Sequence, residues 1–237
     1  MSDGSLTSYL AQFGEVEAQP LSKFQQVVAR RLSQSWTQIP HVTHHDEVDV
    51  SAVDQHRKAL AAEAKVTPVI YVAKALAILL QEFPQFNASL SEDGKSVIAK
   101  RYMNVGIAVD GPLGLMVPVL RDVAAKSLVA LSAELRELSE QARSKGLPMA
   151  AMEGGCMTIT SLGGIGGTAF TPIINQPEVA ILGITRTQTK AVWNGSAFEP
   201  RSMMPLSLSY DHRVINGADA ARFLRRLNDL LATPEAL

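Results

Sequence analysis

The chain reads Ser207-Leu208-Ser209-Tyr210-Asp211-His212-Arg213-Val214-Ile215-Asn216-Gly217 near its C-terminus, where an apolar run typical of a strand breaks into a turn. His212 stands in this turn between two opposite charges. The pKa of imidazole lies near neutrality, so a histidine can take a proton from a thiol or hydroxyl and return it in the same cycle. His212 is therefore the candidate catalytic base. The alternative is a structural histidine held by Asp211 and Arg213.

Strand patterns continue upstream of this block. With the one that ends at Tyr210, strands are predicted at residues 40–50, 102–109, 115–120, 157–162, 179–184 and 203–210. The segment Asp110-Gly111-Pro112-Leu113-Gly114 is predicted as a turn between two of them, and Asn194-Gly195 as a hairpin turn.

Apolar residues at helical spacing predict five helices between and beyond these strands. Ser22 and Gln25 form a capping-box pattern for the first, and Ser51 with Asp54 is expected to cap the second, to about Ala64. Thr67 and Pro68 open a helix that is apolar all round and must be buried. The last two helices carry the stripes Leu128, Leu131, Leu135, Leu138 (stopped by Gly146) and Phe223, Leu224, Leu227, Leu230, Leu231.

Strands and helices alternate irregularly, which predicts the mixed α/β class, an α+β two-layer sandwich with a mixed or antiparallel sheet. Residues 1–20 are polar and mixed, and they are expected to form an arm or the end of a linker that Pro20 closes. Residues 21–237 are expected to form one compact domain, since 46% of the 237 residues are apolar and 19% are charged.

The composition also narrows the classes of partner. A net charge of -1 provides no basic field for nucleic acid or an anionic membrane surface. The most apolar window, residues 69–80, is too short to span a bilayer and contains Lys74. Cys156 is the single cysteine, which excludes an internal disulfide, and the N-terminus lacks a signal-peptide pattern. These features predict a cytoplasmic protein.

Three other patterns compete for chemistry. His41, His44 and His45 with Asp46 are candidate metal ligands, but on a strand His44 and His45 face opposite ways, so a polar strand is favoured. Cys156 has no basic neighbour in sequence and is expected to be a core residue. The stretch 164–169 fits G-x-G-x-x-A, but Pro172 and Pro177 break the helix that a dinucleotide site needs. Its glycines are expected to allow a tight turn beside Thr160 and Ser161.

Most of the chain resembles the catalytic domain of dihydrolipoyl acyltransferases, the core component of 2-oxo acid dehydrogenase complexes. The resemblance rests on Asp211-His212-Arg213 and on ordered matches at residues 39–43, 86–89, 106–110, 114–119, 158–163, 167–175 and 177–183. It implies the fold of chloramphenicol acetyltransferase. It also implies a homotrimer, usually built into a cubic or icosahedral core, with active sites in channels between neighbouring subunits.

The implied reaction moves an acyl group between the dihydrolipoyl thiol of a lipoyl domain and the thiol of coenzyme A. His212 matches the base of the family. Thr160 stands where acetyl-transferring members usually have serine, and it retains a hydroxyl that can steady the tetrahedral oxyanion. Asn216 stands where the family usually has aspartate, so it can orient neighbours by hydrogen bonds but supplies no negative charge.

By the same resemblance, five residues match or lie near positions that contact coenzyme A: Arg57, Thr67, Asp110, Ser161 and Thr185. Arg57 is expected to meet the nucleotide phosphates or, alternatively, to be an exposed helix charge. Asp110 is alternatively a cap for backbone amides in its turn.

The partners implied are a lipoyl domain and, through domains absent from this chain, the 2-oxo acid dehydrogenase and dihydrolipoyl dehydrogenase subunits. The chain has no Asp-Lys-Ala lipoylation site and no peripheral-subunit-binding domain, so it resembles an excised core domain. Acetyl transfer is favoured by residues 39–43 and 170–172. Succinyl or branched-chain acyl transfer, and a free acetyltransferase of the chloramphenicol type, are the alternatives.

Overall fold

The computed structural model describes residues 3–61, 64–112 and 114–237. The helices in these residues are α1 (Asp3–Leu10), α2 (Lys23–Gln38), α3 (Ser51–Leu60), α4 (Pro68–Glu82), α5 (Leu128–Ser144) and α6 (Gly217–Ala232). The strands are β1 (His41–Asp49), β2 (Ala88–Leu90), β3 (Val97–Ala99), β4 (Val105–Ile107), β5 (Val119–Leu120), β6 (Met157–Ser161), β7 (Ala180–Ile184), β8 (Gln188–Trp193) and β9 (Phe198–Asp211).

One sheet organises the described part of the chain. Its order is β1-β9-β7-β6-β4-β5, and β8 also pairs with β9. Strands β4, β6 and β7 run parallel to one another, whereas the remaining pairs are antiparallel. The prediction of a mixed sheet is therefore confirmed. The 14-residue β9 pairs with three strands, so the stretch that ends in the histidine turn is central to the fold.

The two faces of the sheet differ in chemistry because side chains alternate along each strand. One face carries the buried residues Met157, Ile159, Leu182, Ile184, Leu206 and Leu208, which join the main core. Helices α4 and α6 pack on each other and on this face. The register places Thr158, Thr160, Ser207, Ser209 and Thr43 together on the opposite face. The second face is polar and is free of these two helices, so it can carry chemistry.

The helix predictions are largely confirmed. Ser22 caps α2 with Gln25 in a capping box, and α4 begins at Pro68 with nine buried residues. The predicted stripe of α6 is buried. Gly146 has φ 80° just after α5, a conformation that favours glycine and ends the helix.

The prediction that Ser51 and Asp54 cap the second helix is wrong. Val50 is the N-cap residue of α3, with no side-chain cap hydrogen bond. The Ser51 hydroxyl instead accepts a hydrogen bond from the Ser202 amide of β9, because tertiary contact with the sheet competes with local capping. The helix ends at Leu60 and not near Ala64; residues 62 and 63 of the predicted end lie outside the described residues.

Some elements are not predicted by the sequence. The hairpin β2–β3 is short, and its second strand, Val97-Ile98-Ala99, is exposed and has no alternation of apolar and polar residues to detect. Strand β8 is also mostly exposed. Helix α1 lies inside the expected arm at residues 1–20, whose boundary stays a prediction. The turn after β4 is present, linked by the bridge Val109–Met116, but its Leu113 lies outside the described residues. No helix among the described residues is long and apolar enough to cross a membrane.

Candidate active site

The turn that carries His212 follows β9 directly. Asp211 is buried, and its carboxylate accepts hydrogen bonds from the Arg213 backbone amide (3.0 Å) and from Arg213 Nη2 (2.7 Å) and Nε. The His212 amide donates to Pro40 O at 3.2 Å, just before β1. The His212 ring is exposed and lies 5.9 Å from the Tyr210 ring, centroid to centroid. The charged neighbours therefore shape the turn and leave the imidazole accessible.

Asn216 begins α6. Its Oδ1 accepts a hydrogen bond from the Asp219 amide at 3.0 Å, and its Nδ2 donates to Asp219 Oδ2 at 2.6 Å. Asn216 is thus the N-cap of the helix that follows the histidine turn. This role fits an asparagine that orients its surroundings by hydrogen bonds.

Thr160 lies near the end of β6, half-buried on the polar face of the sheet. Its register partner is Gly183, and Gly183 pairs in turn with Ser207. The Phe170 ring lies over Gly183, where a Cβ would be 2.7 Å from Phe170 Cζ. The Phe170 amide donates to Ser207 Oγ at 3.4 Å. Thr160 therefore lies next to a glycine whose missing side chain leaves room for the Phe170 ring.

Thr160 and His212 are far apart within one chain. The register aligns Thr160 with Ser207, two strands away, and His212 lies five residues beyond Ser207. At ~3.3 Å per residue and ~4.8 Å per strand, the two Cα atoms are separated by roughly 20 Å. One chain does not bring these side chains to the same reacting atom.

A cleft of about 360 Å³ lies at the end of the sheet where β6 and β7 finish. Its described lining includes Arg57, Ser161 and Thr185, three of the five residues expected to contact coenzyme A. Pro68, the first residue of α4, also lines it, and the exposed Thr67 is the N-cap just before. Asp110 follows β4 and is exposed, but it is not among the described residues that line the cleft.

Three polar side chains of the cleft, those of Arg57, Ser161 and Thr185, have identified partners. Arg57 forms an ion pair with Asp54 (2.9 Å), and its Nε donates to Val66 O. Arg57 is therefore anchored rather than a freely solvated helix charge. Thr185 donates its hydroxyl to Thr168 O at 3.3 Å, and Ser161 Oγ accepts from the Gly163 amide. Both hydroxyls thus hold the glycine-rich loop, in which Gly167 has φ 89°. The expected tight turn beside Ser161 is confirmed.

A family model described as 2-oxoacid dehydrogenases acyltransferase (catalytic domain) matches residues 13–237. The chain belongs to this family. The dihydrolipoyllysine-residue acetyltransferase component of the pyruvate dehydrogenase complex of Azotobacter vinelandii is 53% identical over an alignment of 232 residues that covers 96% of this chain. The chain spans only 36% of the length of that relative.

Solved structures of the family superimpose closely. One concerns the role of a serine, a histidine and an asparagine in the catalytic mechanism of the Azotobacter vinelandii dihydrolipoamide acetyltransferase; it is 51% identical, with a TM-score of 0.92 over 96% of each chain. The cubic core of the pyruvate dehydrogenase multienzyme complex is 52% identical, again with a TM-score of 0.92 and 96% coverage of each chain. A chloramphenicol acetyltransferase is 16% identical with a TM-score of 0.60 over 89% of this chain and 96% of that one, which confirms the predicted fold.

Two features of this family member were not predicted from its sequence. Arg186, two residues after the end of β7, lines the cleft, and the N-terminus of α4 opens onto it. A basic residue after a wholly buried strand was the available signal for Arg186. The other residues that the sequence analysis considered for chemistry have structural surroundings. The His41 ring bonds Ile39 O and the Ile174 amide, and the His45 ring bonds Ser207 Oγ. Cys156 is buried, and burial raises the pKa of its thiol.

Proposed function

We propose that the chain transfers an acetyl group between a dihydrolipoyl thiol and the thiol of coenzyme A. One observation carries this proposal. The Azotobacter vinelandii enzyme has its named serine, histidine and asparagine at spacings of 52 and 4 residues, and Thr160, His212 and Asn216 have the same two spacings here. The threonine keeps the hydroxyl of the serine. The acetyl group is supported by the name of the 53% identical relative.

In the proposed reaction His212 accepts the proton of the coenzyme A thiol, and the resulting thiolate attacks the carbonyl carbon of the acetyl-dihydrolipoyl thioester. The Thr160 hydroxyl donates a hydrogen bond to the oxyanion of the tetrahedral intermediate. Collapse of the intermediate breaks the bond to the dihydrolipoyl sulfur, which takes the proton back from His212. Asn216 caps α6 and fixes the end of the histidine turn.

The cleft at the end of β6 and β7 is the proposed site for coenzyme A. Arg57 and Arg186 supply two positive charges for phosphate groups, and the N-terminus of α4 adds a favourable dipole. Thr67 lies at that terminus. Ser161 and Thr185 act by holding the glycine-rich loop. Asp110 lies outside the described lining, so direct contact between Asp110 and coenzyme A stays a prediction.

We further propose that each site is shared between neighbouring subunits of a homotrimer. The separation of about 20 Å between Thr160 and His212 supports this, because two subunits can supply the residues that one chain keeps apart. The trimers would build a larger core. A lipoyl domain is the proposed donor, and the dehydrogenase subunits would associate through parts of a longer protein. A cytoplasmic location is proposed in keeping with the buried free thiol of Cys156.

Mixed trimers test the proposal. His212→Ala and Thr160→Val chains are unfolded, mixed equally and refolded together, with each variant refolded alone as the control. Random assembly leaves about a quarter of the sites with both residues intact, so activity should rise well above that of either parent. If mixed trimers form and activity stays at the parental average, both residues act within one subunit. The acyl group is tested separately on the wild type. Transfer to dihydrolipoamide is measured from acetyl-, succinyl- and branched-chain acyl-coenzyme A, and the three rates are compared.

A further inference from the structure

Glu178 is a buried carboxyl that the proposed chemistry does not use. It lies just before β7, with 4% of its surface exposed. Its Oε1 accepts a hydrogen bond from Thr158 Oγ1 at 3.0 Å, whereas Oε2 is buried without a partner among the described residues. Gly155 makes the space for this group, because a Cβ there would lie 2.7 Å from Oε1. The carboxyl is therefore enclosed by the sheet and does not face a substrate.

The titratable groups that act on Glu178 are Lys100, which follows β3, and Cys156, which precedes β6. Lys100 is partly buried and donates to Gly155 O at 3.4 Å. Burial raises the pKa of Glu178 to about 7, while the hydrogen bond from Thr158 and the charge of Lys100 oppose the rise. The carboxyl thus keeps its proton at mildly acidic pH, and its hydrogen bond with Thr158 ties it to β6.

The backbone on either side of Glu178 reaches the histidine turn by two routes. Val179 O accepts a hydrogen bond from the Asp211 amide at 2.8 Å. In the other direction, Asn175 O accepts from the Glu178 amide, and the Ile174 amide donates to His41 Nε2 at 3.1 Å. The His41 ring also bonds Ile39 O, next to the Pro40 carbonyl that accepts from the His212 amide. Residues 174–179, here called the clamp segment, therefore connect to the start of the turn, at Asp211 and His212.

We propose that Glu178 is a positioning residue for His212: its carboxyl anchors the clamp segment, and the clamp segment sets the position of the turn at residues 211–215. The proposed effect of Glu178 on the turn rests on the hydrogen bonds alone. The proposed effect of Glu178 on the reaction rate also rests on the proposed acyl transfer. Glu178 touches neither substrate, so it acts only through the turn.

Hydrogen–deuterium exchange tests the structural part. The amides of Asp211, His212, Val214 and Ile215 are all hydrogen-bonded, so their exchange reports how firmly the turn is held. In Glu178→Ala we expect exchange at residues 211–215 to be at least about tenfold faster, with the hairpin of β8 and the start of β9 unchanged. Glu178→Gln, which keeps the acceptor for Thr158, should stay near the wild type. Glu82→Gln is the matched control, because Glu82 pairs with Arg226 on the outer side of the helices.

Steady-state kinetics on the same variants test the consequence for catalysis. Glu178→Ala should lower kcat by at least about tenfold and leave KM for coenzyme A within about twofold, because only the histidine end of the sheet shifts. Glu178→Gln should retain most of kcat. If Glu178→Ala does not fold, Thr158→Val removes the donor to Oε1 and receives both measurements.

The outcomes separate the two proposals. Wild-type exchange and wild-type kcat in the alanine variant would overturn the positioning role. Faster exchange throughout the sheet, with kcat and KM changed together, would also overturn it and assign Glu178 a general packing role. If the wild type transfers no acyl group while exchange still rises only in the turn, the proposed function fails and the positioning of the turn stands.

Discussion

His212 has an exposed ring on a turn that an ion pair holds in place. The buried Asp211 carboxylate and Arg213 fix the turn, so removal of the imidazole should not disturb the fold. We expect His212→Ala to lower acyl transfer by at least ~10², the range typical of a lost general base. Turnover is measured at saturating substrates, with circular dichroism and the oligomeric state as controls. Near wild-type turnover in a folded variant would falsify the role of His212.

Two substitutions at Thr160 distinguish the contribution of its hydroxyl from that of its shape. Thr160→Ser keeps the donor and should keep most activity. Thr160→Val is similar in shape but has no donor, and should lose ~10² to 10³ in turnover. The measurement is kcat for both variants on one acyl-coenzyme A substrate. Equal rates for serine and valine would place oxyanion stabilisation elsewhere.

Helix α6 starts immediately after the histidine turn, and its cap ties the helix to the site. Asn216→Ala removes the acceptor for the Asp219 amide and should cost about 1 kcal/mol of stability, or about 2–4 °C in Tm. Asn216→Ser should keep the cap and most of that stability. Asn216→Asp also keeps an acceptor. However, it replaces the hydrogen bond from Asn216 Nδ2 to Asp219 Oδ2 with two adjacent carboxylates.

Thermal unfolding of the three Asn216 variants measures this effect, with Asn194→Ala in the exposed β8–β9 turn as a control for loss of an asparagine side chain in a loop. Unchanged Tm in Asn216→Ala would contradict the capping role. Loss of turnover in Asn216→Ser at unchanged Tm would show that the amide acts on the chemistry as well as on the helix.

The stability of the whole molecule should depend on pH through Glu178. Its pKa rises from 4.5 to about 7, mainly because of burial, so the folded state holds the proton more tightly than the unfolded state. The stabilisation from this proton is complete below the unfolded pKa and is lost as pH rises through the folded pKa. The unfolding free energy should therefore fall between about pH 5 and 8, by at most ~3 kcal/mol from this group.

Glu178→Gln has no titrating proton at this position, so its unfolding free energy should lack this part of the fall with pH. Denaturant unfolding of both proteins at several pH values, at one protein concentration, gives the difference. Parallel pH curves for the two proteins would show that the Glu178 pKa is not raised in the folded state.

The proposed site depends on how the sheet as a whole places Thr160 and His212. The polar face of the sheet carries Thr160, and the turn with His212 lies at the other end of the neighbouring strands. A second subunit is therefore part of the proposed chemistry, and the refolding of mixed variants is its direct test.

The sequence by itself determined the elements whose cause is local. The capping box at Ser22, the Pro68 start of α4 and the glycine after α5 follow from backbone chemistry within one helical turn. The burial of α4, which is apolar all round, and the buried stripe of α6 follow from the apolar pattern of each helix. The mixed sheet follows from the irregular alternation of strands and helices. The motif around His212 is also local, which is why a candidate base could be named, and the family identified, from the residues alone.

Only the tertiary structure decided which residues meet, because strand register and packing join positions that are distant in sequence. Ser51 bonds Ser202 across the sheet instead of capping its helix, and Arg186 joins Arg57 in one cleft. Asp110 lies outside the described lining of that cleft although the family resemblance grouped it with Arg57. The burial of Glu178 beside Thr158 and Gly155, and the distance from Thr160 to His212, likewise depend on the order and register of the strands.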